Sequence, residues 1–297
     1  MTATTTNYIC RYCRQPSDPS DVSCPNCGAP VDVREVTSDS GWVEQPAISD
    51  MARIRFGTST AQIEGTYVPV VDFDLRPPGW VYFSHHTLLW AEPQVQMAAM
   101  PMAGGWTRVR AGLPLIMMQA SGPGHLALSD DHPGEIVALP LAPGQGIEVR
   151  EHRFLAATDG VKYDWQQSGI WFTTGSGDDT EYHYPFGMFV DVFHAEQAPG
   201  LLLLHSPGNS FIRDLAAGET ICIQPSSLLY KDLTVRMGLH LEYPNTGGMM
   251  WGSRYQYRQV WLRLSGPGRV AVQSVFERPE GSEPITSSCP GTTHYRW

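Results

Sequence analysis

From Arg53 onward the chain alternates apolar and polar side chains with period two. In Val235-x-Met237-x-Leu239-x-Leu241-x-Tyr243, the residues Arg236, His240 and Glu242 fall on the opposite face, which is the pattern of a half-buried strand. Ile147 with Val149, Ile221 with Ile223, and Val270 with Val272 repeat it over shorter lengths, each flanked by Gly or Pro turns. Convincing helical periodicity is scarce. The pattern predicts an all-β domain of short strands, and the 29 Gly and 24 Pro suit the many turns it needs.

Strand and turn recur together. Ser121-Gly-Pro-Gly124, Ser206-Pro-Gly208 and Ser265-Gly-Pro-Gly268 each follow an apolar run, respectively Leu115 to Met118, Leu201 to Leu204 and Trp261 to Leu264. Gly134-Glu-Ile-Val-Ala-Leu-Pro-Leu-Ala-Pro-Gly144 leads to Ile147-Glu-Val149, much as Ile212-Arg-Asp-Leu-Ala-Ala-Gly218 leads to Ile221-Cys-Ile223. A duplicated or triplicated β module follows, with a long period and divergent copies, which excludes an open solenoid of short repeats.

At these residues the chain resembles the family named after altered inheritance of mitochondria protein twenty-four, which has many bacterial members. Further carriers are Pro133-Gly-Glu-Ile-Val137, Phe154-Leu-Ala-Ala157 and Leu215-Ala-Ala-Gly-Glu219, and the resemblance spans most of residues 53 to 280. It implies repeated β-sandwich modules around a pseudo-threefold axis, a fold like that of the tryptophan RNA-binding attenuation protein, with further oligomerisation. It transfers no catalytic residue and no RNA binding.

The first residues read differently. Cys10-x-x-Cys13 and Cys24-x-x-Cys27 are separated by ten residues, and Gly28 follows the last cysteine. Four sulfurs in two such turns predict a structural zinc ribbon over residues 1–34, one zinc per chain, with no coordination position left for water. Two disulfides are the competing reading, and the polar, Thr-rich start from Met1 to Tyr8 argues against it, because it lacks the charged and apolar regions of an export signal. The expected location is therefore cytoplasmic. Residues 35–52 are acidic and polar and are expected to form a flexible linker to a β domain at 53–280, with 281–297 as a C-terminal tail.

Charge narrows the partners. A formal net charge of -10 disfavours nucleic acid, and Arg11, Arg14 and Arg34 against Asp18, Asp21 and Asp32 leave the ribbon without a basic patch. No apolar run reaches the length of about 18 residues needed to span a membrane. Only Lys162 and Lys231 are lysines, a bias read as compositional.

Candidate chemistry in the β domain is thin. His240 and Glu242 share a strand face and are the pair most suited to a second metal, with His85-His86 as another local candidate, but a third ligand is missing. Thr174-Gly-Ser-Gly177 is followed by Asp178, Asp179 and Glu181, which would repel a phosphate. Cys222 falls on a predicted strand. Two Met-bearing segments beside glycines, with Met97, Met100, Met102 and Trp106 in one and Met249, Met250 and Trp251 in the other, read as core filling or as interaction loops.

These features predict a non-enzymatic scaffold or assembly protein: a homo-oligomeric β platform whose zinc ribbon recruits a protein partner. Two alternatives stay open. One is a small-molecule sensor or metal-dependent enzyme with its pocket in the β domain, and the other is a peripheral membrane or envelope-stress protein in membrane contact.

Overall fold

A computed structural model describes residues 8–9, 16–17, 23–26, 42–44, 53–100, 117–243, 259–277 and 285–296. Among them are 27 strands, three short 3-10 turns and no α-helix, as the period-two pattern requires. No helix long and apolar enough to cross a membrane is present among the described residues.

Near the N-terminus β1 (Tyr8–Ile9) pairs antiparallel with β2 (Pro16–Ser17). Cys24 is buried at 2% exposure. Cys10, Cys13 and Cys27 lie outside the described residues. β3 (Val43–Glu44) pairs with Phe211 and Ile212, and Trp42 packs on the core with the Arg213 guanidinium 5.9 Å from its ring centroid. At residues 42–44, within the segment expected to be a linker, a partly buried indole and a sheet edge hold the chain.

The main body opens with β4 (Arg53–Phe56) and β5 (Ser59–Glu64). Three six-strand stretches follow. The first contains β6 (Val70–Leu75), β7 (Trp80–Ser84), β8 (Leu88–Ala91), β9 (Gln96–Ala99), β10 (Met117–Ser121) and β11 (Gly124–Ser129). The second contains β12 (Gly134–Leu141), β13 (Gly146–Arg150), β14 (Phe154–Thr158), β15 (Val161–Gln167), an inserted hairpin of β16 (Phe172–Thr174) and β17 (Glu181–His183), then β18 (Phe189–Ala195) and β19 (Gly200–Pro207). The third contains β20 (Ser210–Leu215), β21 (Thr220–Ile223), β22 (Leu228–Asp232), β23 (Arg236–Tyr243), β24 (Gln259–Ser265) and β25 (Gly268–Gln273).

One pairing order serves all three, with the inserted hairpin set aside. The first and third strands flank the sixth, as in β6–β11–β8, β12–β19–β14 and β20–β25–β22. The second and fourth flank the fifth, as in β7–β10–β9, β13–β18–β15 and β21–β24–β23. Even the irregularity recurs, since the register shifts within each pairing of third and sixth strand. The second strand of one stretch also pairs with the third of the next, β7 with β14 and β13 with β22, so the sheets run across the junctions.

The chain thus folds into stacked sheets with a separate core between successive ones. Period two sends alternate residues of a shared sheet to different cores: Val81 and Phe83 belong to one, and Tyr82 belongs to the next. Likewise Val270 and Ala271 divide between two cores. The C-terminal segment is not a free tail. β26 (Ile285–Ser288) pairs with β16, and β27 (Thr293–Arg296) runs parallel to β23.

One sequence equivalence is corrected. Ser121–Gly124 and Ser265–Gly268 both join the fifth strand of a stretch to the sixth, and Ser206–Gly208 does not. It follows the sixth strand, and the second stretch makes its fifth-to-sixth turn at Glu196–Pro199. Pro-Gly dipeptides suit many turns, so composition matched two turns that lie at different places in the fold. The other equivalence holds: Gly144 at φ +84° and Gly218 at φ +82° occupy the same first-to-second turn.

Candidate functional site

Where the second stretch meets the third, a cleft of about 580 Å³ opens beside the turn 151–153. That size suits a small ligand. Arg150 ends β13 and donates through Nη1 to the Ser226 carbonyl in the turn before β22. Glu151 follows, its Oε1 accepting the Phe189 N–H at 3.0 Å. His152 has φ 61°, the one non-glycine residue with positive φ among the described residues, and this tight turn brings Arg153 back toward Arg150. The third stretch contributes Gln224, Pro225 and Ser226, and Ser226 Oγ donates to the Glu277 carbonyl at 2.7 Å.

Electrostatics set this cleft apart. Burial is the main influence on both guanidiniums and pulls their pKa values down; Glu277 and Glu151 push Arg150 back up, while Arg150 lowers Arg153 further. Both remain cationic, as arginine does in proteins. Neither forms an ion pair with a carboxylate among the described residues, and Arg153 Nε is buried without a hydrogen-bond partner. Buried charges are usually paired, so two half-buried, unpaired guanidiniums facing one cleft suit an incoming oxyanion, which both could grip through fork-shaped donor sets. Burial raises the pKa of the Glu151 acid, while the Phe189 N–H, His152 and Arg150 act the other way.

Sequence reasoning did not find this cleft. Its residues are contiguous only in part, and nothing in Arg150-Glu-His-Arg153 distinguishes it from a polar hairpin turn. The residues that were singled out fall elsewhere. His240 Nδ1 lies 2.9 Å from Thr293 Oγ1, and Glu242 Oε2 accepts the Trp261 indole N–H at 2.6 Å. The two do share a face of β23, but no third metal-binding side chain joins them among the described residues. His85 and His86 sit exposed in a 3-10 turn. Cys222 lies on β21 and is exposed. Met97 is 43% exposed on the edge strand β9, whereas Met100 packs against the central core. Met102, Trp106, Met249, Met250 and Trp251 lie outside the described residues.

The model of the family described as mitochondrial biogenesis AIM24 matches residues 61–275, from within β5 to just past β25. The chain belongs to that family. Every described residue of the AIM24 match lies in the β body, and the cleft falls inside the match except for Glu277. The crystal structure of protein SPYM3_0169 from Streptococcus pyogenes has a similar fold, with a TM-score of 0.53 and 22% identity over 73% of this chain and 94% of that one. At that identity the likeness concerns the fold alone. No curated protein matches the chain.

Proposed function

We propose that this AIM24-family chain is a non-enzymatic binding platform whose arginine cleft takes a small ligand through a phosphate or carboxylate group. The observation that carries this reading is the pair Arg150 and Arg153, half-buried beside one cleft without carboxylate partners. A ligand held there touches two stretches at once and would report its presence through the sheet that joins them.

The test is thermal unfolding with inorganic phosphate, against sodium chloride at equal ionic strength. Phosphate at about a hundred times its dissociation constant should stabilise the wild type by about 2.7 kcal/mol. Arg150→Gln and Arg153→Gln should abolish that gain, and an equal gain in both variants would refute the reading.

A second reading, an oligomeric scaffold, draws on the sheet edges. β8 and β21 each have one paired neighbour among the described residues, although their counterparts in the other stretches pair across a junction. Joining β8 to β21 would make a third continuous sheet and close the three stretches about a pseudo-threefold axis, or the two edges would pair between copies. β8 presents Leu89 at 57% and Trp90 at 44% exposure, which suits such pairing. If copies pair here, Leu89→Lys with Trp90→Lys should lower the native mass to that of one chain with unchanged far-ultraviolet circular dichroism. In this scheme the Cys10, Cys13, Cys24 and Cys27 ribbon holds one zinc and recruits a cytoplasmic protein partner, so removing residues 1–34 should abolish recruitment.

A further inference from the structure

We propose that the arginine cleft is built for a phosphate monoester whose organic part is a flat ring, with Arg150 and Arg153 on the phosphate and the wall at Tyr184 and Pro185 on the ring. The inference rests on the binding-platform reading of this cleft and narrows its ligand from any small oxyanion to one chemical class.

Donors and charge select the phosphate. Each guanidinium carries five N–H groups. Arg150 donates from Nη1 to the Ser226 carbonyl, and Arg153 donates from Nη1 to the His152 carbonyl at 3.4 Å. Arg153 Nε is buried with no acceptor, so a ligand that satisfies it has to bring an oxygen to that depth. Two cations exceed a single carboxylate in charge and in the number of bonds they offer. A phosphate monoester matches both, because it carries about −1.5 to −2 of charge at pH 7 on three strong acceptor oxygens.

The walls select the ring. Tyr184-Pro-Phe-Gly187 is a reverse turn in which the Gly187 N–H donates to the Tyr184 carbonyl at 3.0 Å, and Ser168 Oγ donates to the Gly187 carbonyl at 2.6 Å. Phe186 is 1% exposed and anchors this turn in the third core. Gly187 has φ +123°, and a Cβ there would stand 3.0 Å from Glu151 Oε2, so glycine lets the turn lie against the loop that carries the arginines. Tyr184 and Pro185 are half-buried in the lining of the cleft.

The third stretch supplies the other wall, the 3-10 turn Pro225–Ser227, which the Ser227 N–H closes onto the Gln224 carbonyl at 3.0 Å. Pro185 and Pro225 have no N–H to offer, so both walls present carbon. A cleft of about 580 Å³ exceeds what a phosphate alone fills, and a tyrosine ring with two prolines suits a flat group held by contact area. Of the two carboxylates in the lining, Glu151 accepts the Phe189 N–H, and Glu277 is exposed at the rim, where it works against a second anionic group and so against a diphosphate.

The experiment is isothermal titration of the full chain with phenyl phosphate, inorganic phosphate and benzoate at equal ionic strength, above the second phosphate ionisation at about pH 6. Phenyl phosphate should bind about tenfold tighter than inorganic phosphate, and tighter than benzoate by about tenfold or more. Tyr184→Ala should cut the ratio of phenyl phosphate to inorganic phosphate affinity by about fivefold. The comparison of the three ligands is made on the wild type and does not depend on the variant folding. The proposal is overturned if phenyl phosphate binds no tighter than inorganic phosphate, or if benzoate equals it. In either case inorganic phosphate that still binds through Arg150 and Arg153 leaves the platform reading standing, whereas no binding of any of the three removes both.

Discussion

Replacing Lys231 with methionine should destabilise the protein by about 3–5 kcal/mol, more than most single substitutions in a domain of this size. Lys231 is one of two lysines in the chain and is 3% exposed. Its Nζ reaches Glu148 Oε2 at 2.8 Å and the Val235 carbonyl at 2.9 Å, and Gln166 Nε2 donates to Glu148 Oε1 at 3.2 Å. Glu148 and Lys231 are direct partners in the β13–β22 ladder, so the ion pair sits on the junction between the second and third stretches. Methionine fills the volume but strands a carboxylate that is 13% exposed. Denaturant unfolding measures the loss, and Glu148→Leu with Lys231→Met should recover much of it because no charge is then left alone. A loss below about 1 kcal/mol for Lys231→Met would show that water reaches Glu148 and that the pair does not hold the junction.

Gly122→Ala and Gly266→Ala should each cost about 2–4 kcal/mol, set by backbone contact rather than by conformation. A Cβ on Gly122 would stand 2.1 Å from the Leu75 carbonyl oxygen, and one on Gly266 would stand 2.4 Å from that of Ala216. In the first and third stretches the turn from fifth to sixth strand presses on the end of the first strand, and a main-chain atom cannot rotate out of the way. Gly144→Ala makes the comparison. Gly144 has φ +84° with nothing within 4 Å of its added Cβ, so only the strain of a left-handed backbone applies, about 1–2 kcal/mol. Thermal and denaturant unfolding of the three variants should rank Gly144→Ala as the mildest. Equal losses in all three would mean that the close approach relaxes and that the motif glycines serve only their turn conformation.

The strand content was legible because side-chain alternation is local. Val235, Leu239 and Leu241 are buried where the alternation placed them, and Met237 packs against the same core. The match between Gly134–Gly144 and Ile212–Gly218 was legible for the same reason, since the turn glycine and the strand that follows it lie within a dozen residues. Repeat boundaries were less so. Ser206–Gly208 looks like Ser265–Gly268 to a reader of composition, and only its partners show that it follows a different strand. Trp42 and the segment 285–296 read as linker and tail because their neighbours are polar, and their anchoring depends on partners far away in sequence.

What the sequence determined by itself was the all-β class, the turn positions and the membership that the family match bears out, because periodicity and turn chemistry are written in neighbouring residues. What only the tertiary structure decided was which distant groups meet. Lys231 read as a trace of composition and proves to be a buried charge on a junction. Arg150 and Arg153 carried no signal in the sequence, yet residues 184–187 and 224–226 close around them to form the cleft. His205 follows four leucines in one strand, and only the fold brings Asp130 from another connection to within 3.5 Å of it. Burial and charge opposition are properties of through-space neighbours, and no period along a chain encodes them.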